Sequence, residues 1–101
     1  MTHSSETPSL EEFLLALTEE RPDGLSSPLR ALWFDANNDW RSAHHCVDTR
    51  SDVASMRAHA YLHRKAGDLT NAAYWYRRAG LRPYKGALSD EWLEIAKMLC
   101  S

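Results

Sequence analysis

His59 and His63 stand four residues apart, a spacing that puts two imidazoles on one flank of a helix. His44 lies 15 residues before His59, far enough away in sequence to come from a neighbouring helix and supply a third ring. Three imidazoles could bind a metal, act as acid and base, or hold a polar ligand. Their bland alternative is packing, with His63 at an aromatic inter-helix position and His59 at the edge of a groove. No Glu follows His59, so the zinc-protease pattern His-Glu-x-x-His is missing. No metal or cofactor is expected, and His59 and His63 are expected to be neutral at pH 7.

Other candidates are thinner. Cys46 and Ser42 belong to no nucleophile signature, although His44 and His45 stand next to Cys46. No glycine-rich phosphate loop is present, and no catalytic residue is assigned. Tyr74, Trp75 and Tyr76 are consecutive, so they cannot share a helix face. Tyr76 is expected in the core and Trp75 partly so, while Tyr74 faces solvent beside Arg78. Aromatic and Arg residues are the usual binding hot spots. His44, His59, His63, Arg64, Tyr74 and Arg78 therefore make up the candidate binding set.

The elements that must position these groups are helical. Ser9 and Glu12 fit a capping box, followed by Leu10, Phe13, Leu14 and Leu17 on one stripe. That helix is expected over 9–20 and to end at Arg21-Pro22. Ser27-Pro28 reads as a second start, with Ser27 as cap and stripe Leu29, Leu32, Trp33 and Ala36. Asp39 caps a helix from Trp40, Asp52 caps one running to about Ala66, and Asp68 caps the next. Val53, Met56, Ala60 and His63 share one face of the fourth helix, and Leu69, Ala72, Trp75, Tyr76 and Ala79 form the stripe of the fifth. A last helix spans 89–100, with Leu88 and Leu93 as a staple and stripe Trp92, Ile95, Ala96 and Leu99. No strand is expected.

Two of these helix pairs repeat. Ala31 and Ala60, Asp39 and Asp68, Trp40 and Leu69, and Ala43 and Ala72 each stand 29 residues apart. Such self-similarity marks stacked helical hairpins that share apolar faces. Ala60, Gly67, Ala72, Tyr76 and Ala79 fall where a tetratricopeptide or Sel1-like repeat places small, turn, small, aromatic and small residues, and Trp75 to Ala79 resembles the end of a Sel1-like unit. The upstream copy matches through Ala31, Phe34, Trp40 and Ala43 but lacks the closing alanine. Over residues 28–83 the chain also resembles small bacterial all-helical proteins with an Ala-Tyr-Leu-His-Arg-Lys segment, then Gly-Asp and Tyr-Trp-Tyr-Arg-Arg. No established activity comes with that likeness.

The repeat resemblance implies an all-α fold of about six helices in stacked antiparallel hairpins, with capping helices at both ends. It implies function through a surface that holds a protein or peptide. Free-standing arrays normally need three or more units. The outer helices would therefore cap the two units present, or the protein would pair with itself.

The 101 residues suit one domain, read as a disordered 1–8 and a helical 9–101. Four Trp, four Tyr and two Phe enlarge a core that a chain this short must build from few residues. The net charge of −2 gives no general pull toward nucleic acid, and no recognised nucleic-acid motif is present. Residues 53–85 hold seven Lys and Arg against Asp68 alone, which suits an acidic partner or a set of solvated faces. Two cysteines form no disulfide framework, the N-terminus lacks a basic leader, and no apolar run approaches a membrane span. A cytoplasmic protein is expected. The leading functional reading is a non-catalytic module for a protein or peptide. The alternative is a small ligand-binding or catalytic protein with a pocket built on His44, His59 and His63.

Overall fold

A computed structural model describes residues 7–19 and 22–101. Among the described residues six helices follow in order: α1 (Leu10–Ala16), α2 (Ser27–Ala36), α3 (Trp40–Val47), α4 (Val53–Lys65), α5 (Leu69–Arg78) and α6 (Leu88–Leu99). There is no strand among the described residues. The expectation of disorder over residues 1–8 falls mainly on residues 1–6, outside those described. Thr7 and Pro8 are held through their carbonyls, which accept from the Ser101 hydroxyl and the Ser101 N–H, both at 3.0 Å.

Capping chemistry sets most helix starts. Ser9 and Glu12 form the reciprocal capping box. Asp39, Asp52 and Asp68 each accept from the backbone N–H three residues on. Two starts differ from the sequence reading. Ser26, not Ser27, is the N-cap of α2, which places Pro28 inside the first turn. The last helix begins at Leu88 rather than Ser89, with Ala87 at the N-cap position and no side-chain cap.

α1 is also shorter than the expected 9–20. It stops at Ala16, where the N–H groups of Leu17, Thr18 and Glu19 turn to carbonyls three residues back, and Trp33 Nε1 donates to Ala16 O at 2.8 Å and Asn37 Nδ2 to Leu17 O at 3.2 Å. These side-chain donors satisfy acceptors that a continuing helix would have used itself.

The 29-residue correspondence holds at the two turns. Asn38 (φ 63°) and Gly67 (φ 83°) occupy the left-handed position after α2 and α4. The next residue donates its N–H in the same way in each copy: Asp39 to Phe34 O and Asp68 to His63 O, both at 2.9 Å. The matched small residues Ala31, Ala60, Ala43 and Ala72 are all buried. A methyl group at these places lets α2 approach α3, and α4 approach α5, closely.

The main core joins Phe13, Leu29, Leu32, Trp33, Val47, Tyr61, Leu62 and Ile95, with Trp92 packed against it. A second cluster joins Ala60, Ala72 and Tyr76. α6 packs against both α2 and α4, and the rings of Phe13 and Trp92 stack with centroids 5.8 Å apart. Val53 leaves its expected face and is 56% exposed, although Ser55 and Met56 in the same turn of α4 are buried.

Two carboxylates sit inside this core. Asp35 accepts from the Tyr61 hydroxyl at 2.7 Å and from Lys65 Nζ at 2.8 Å. Glu91 is fully buried and accepts from the Tyr76 hydroxyl and from Arg64 at 2.9 Å. Each is matched by a cation and a phenol from another helix, so neither charge is left alone in a weakly polar interior.

Candidate functional site: a histidine cluster between two indoles

α3 and α4 bring His44, His59 and His63 together. Their ring centroids lie 4.7 Å apart for His44 and His59, 4.9 Å for His59 and His63, and 5.1 Å for His44 and His63. The i, i+4 spacing on α4 stacks His59 on His63, and the capped start of α3 at Trp40 aims His44 across at both. Two indoles close the ends of the group. Trp40 stacks on His44 at 4.9 Å, and Trp75 stacks on His59 at 4.0 Å. Trp40 is itself fixed, its Nε1 donating to Leu62 O at 2.8 Å.

The cluster is graded in exposure. His59 is 3% exposed and buried, whereas His44 and His63 are half-buried. His59 thus lies in the interior rather than at a groove edge, because α5 lays Trp75 over it. One contact joins the helices directly: Nε2 of His59 lies 3.0 Å from Nε2 of His44. Two neutral imidazoles can make this contact when one donates and the other accepts. The other nitrogen of His59, Nδ1, is buried with no hydrogen-bond partner among the described residues.

Carboxylates stand behind the outer two rings. Nδ1 of His44 lies 4.0 Å from an Asp48 oxygen, and Nδ1 of His63 lies 4.0 Å from an Asp68 oxygen. Exposed His45 also lies 4.0 Å from Asp48.

Burial pushes the His59 pKa down to about 4, and the neighbouring His44 and His63 rings add to the effect against a weaker opposing pull from Asp48. The His63 pKa is lowered by burial and by His44, with Asp68 opposing. Both imidazoles are therefore neutral at pH 7, as expected from the sequence. Nearby Arg and Lys residues are not among the causes. Those cations are turned elsewhere: Arg57 pairs with Glu94 at 3.2 Å, Arg64 with Glu91 and Lys65 with Asp35.

The remaining candidates fall in two places. Arg64 belongs to the buried polar node, where it also donates to Gly86 O and lies 5.5 Å from the Tyr84 ring centre. Tyr74 and Arg78 are exposed on α5, with the Arg78 guanidinium 5.8 Å from the Tyr74 ring centre and 4.9 Å from that of Trp75. Cys46 is half-buried, and burial raises its thiol pKa, which disfavours the reactive thiolate. An open groove of about 590 Å³ lies beside it, lined by Arg30, Phe34, Arg41 and His45, and another of about 450 Å³ lies between Leu17, Tyr61, Lys65 and Trp92. The three clustered histidines line neither.

Sequence reading did not single out Trp40, Asp48 or Asp68 as companions of the imidazoles, nor Asp35 and Glu91 as buried carboxylates. A signal for Glu91 was present: it stands three after Leu88 and four before Ile95, on the buried stripe of its helix. A carboxylate in such a place demands a partner.

No protein-family model, curated protein or solved structure matches the chain.

Proposed function

We propose that this chain is a non-catalytic helical-repeat module that binds a segment of another protein, its two helix pairs stacked in the manner of tetratricopeptide and Sel1-like units. The matched turns at Asn38 and Gly67 and the matched alanines support the repeat reading. α1 and α6 serve as caps, supplying the apolar cover that missing outer repeats would give.

One observation carries the binding role. Tyr74, Trp75 and Arg78 form a preassembled shelf on α5, with the guanidinium over both rings and Tyr74 43% exposed. Arg78 makes no ion pair among the described residues, unlike Arg57, Arg64 and Lys65. An acidic side chain flanked by an apolar one suits such a shelf, since the rings offer area and the guanidinium a paired donor edge.

The test is affinity capture from the native host with wild-type protein and the Tyr74→Ala and Arg78→Ala variants. A protein captured by the wild type and held at least about fivefold more weakly by one variant supports this surface. Equal capture by all three forms removes the interface from α5.

A second reading, a site for a small ligand or for catalysis, is supported by a separate observation, the convergence of His44, His59 and His63.

A further inference from the structure

We propose that His44, His59 and His63 form a three-imidazole site for a divalent transition-metal ion, zinc foremost, with a fourth position left for water or an incoming ligand. This rests on the second reading above; the two sites share Trp75, while Tyr74 and Arg78 belong to the α5 shelf alone.

The distances suit a metal. One nitrogen from each of the three residues lies within 4.8 Å of the other two. A tetrahedral zinc ion with bonds of about 2.0–2.1 Å keeps its ligand nitrogens roughly 3.3 Å apart. The 3.0 Å between the Nε2 atoms of His44 and His59 is already near that edge length. Small side-chain rotations on the half-buried rings of His44 and His63 close the rest.

The outer partners suit it as well. A ligating histidine normally turns its other ring nitrogen toward a carboxylate, which fixes the tautomer and raises the basicity of the ligating atom. Asp48 stands 4.0 Å from Nδ1 of His44 and Asp68 4.0 Å from Nδ1 of His63, within ion-pair reach and about 1 Å beyond the hydrogen bond that each would close on a ligated ring. A proton on Nδ1 of His44 leaves its Nε2 lone pair toward His59. Asp68 also caps α5, so one side chain serves the turn and the site. The two carboxylates offset the charge of a divalent ion held by three neutral ligands.

Without an ion, His44 and His59 share one proton across their 3.0 Å contact. With His44 protonated at Nδ1, its Nε2 accepts from Nε2–H of His59. Nδ1 of His59 then carries a buried lone pair with no partner. An ion that takes both Nε2 lone pairs moves the His59 proton to Nδ1, which has no acceptor among the described residues, so the outer carboxylates serve His44 and His63 alone. An all-imidazole donor set suits zinc, copper(II) or nickel and is poor for magnesium or calcium. Trp40 and Trp75 wall the site on two sides, while half-buried His44 and His63 leave an approach from solvent.

The experiment titrates chelator-stripped full-length protein with zinc by calorimetry and with cobalt(II) by visible absorption. The expected result is one ion per chain and the intense visible bands of four-coordinate cobalt. His44→Gln and His59→Gln should each weaken binding at least tenfold. Asp48→Asn and Asp68→Asn should weaken it about tenfold, as loss of an outer partner does. His45→Gln, at an exposed neighbour, should leave it unchanged. If buried His59→Gln does not fold, the wild-type cobalt spectrum and the half-buried His44→Gln still decide. Binding that survives both ligand substitutions, or octahedral cobalt bands alone, overturns the site.

Long-range proton–nitrogen NMR of the metal-free imidazoles separates the two kinds of failure. Rings that perturb one another's titration but bind no ion overturn the metal and leave the ligand reading standing. Rings that titrate independently at free-histidine values overturn both.

Discussion

The Tyr76 hydroxyl donates to the buried carboxylate of Glu91, tying α5 to α6 across a contact that also receives Arg64 from α4. Glu91 is fully buried, and burial raises its pKa while both partners hold it down. Tyr76→Phe keeps the ring in place and removes one donor. The expected loss is about 1–3 kcal/mol in urea denaturation, the cost of an under-satisfied buried charge. Glu91→Leu strands Arg64 and Tyr76 together and should cost more, about 3–5 kcal/mol. A Glu91→Leu protein as stable as wild type would show that the node adds nothing to the fold.

Ala60 and Ala72 meet in one buried cluster with Tyr76. Ala72→Leu adds three carbons at this buried contact of α4 and α5. Overpacking of this kind should cost about 1–3 kcal/mol and lower the melting temperature. An unchanged melting temperature would count against close approach of these helices.

Gly67 tests the backbone alone. Its φ is 83°, and a Cβ added there would meet nothing within 4 Å. Gly67→Ala should therefore cost about 1–2 kcal/mol through the left-handed conformation alone. Asn38, with φ 63° at the matching turn, gives the contrast. Asn38→Gly should be neutral or slightly stabilising, and chemical denaturation of both variants measures the difference.

His59 makes stability depend on pH. Its folded pKa is depressed to about 4 from 6.5, mainly by burial, with His44 and His63 adding to the shift and Asp48 opposing. Between those values the unfolded chain binds more protons than the folded one, so stability rises with pH. The contribution is fully present above about pH 6.5 and is lost as pH falls toward 4, an effect on the order of 2 kcal/mol. Glu91 acts in the opposite sense, so the comparison is wild type against His59→Phe across pH 4–7. The variant should show the flatter profile. Parallel profiles would mean that His59 does not titrate as a buried group.

The helices were legible because their causes are local. Asp39, Asp52 and Asp68 cap the starts that their side chains suggest, and Gly67 ends the helix it follows. Period and spacing also placed Tyr76 inward and Tyr74 outward, since a helix fixes the angle between neighbours. The pairing of His59 with His63 follows from the same geometry.

Only the tertiary structure set what lies across from each face. The end of α1 is tied down by Trp33 and Asn37, which donate to the carbonyls of Ala16 and Leu17. His59 is buried because α5 brings Trp75 over it, and His44 reaches it from α3. Arg64 looks like an exposed cation near a helix end, yet Glu91, 27 residues away, draws it into the interior. Spacing along one helix is dictated by the backbone's own hydrogen bonds. The depth and partner of a side chain depend on how separate helices dock, and that is decided by the sum of many weak contacts between residues distant in sequence.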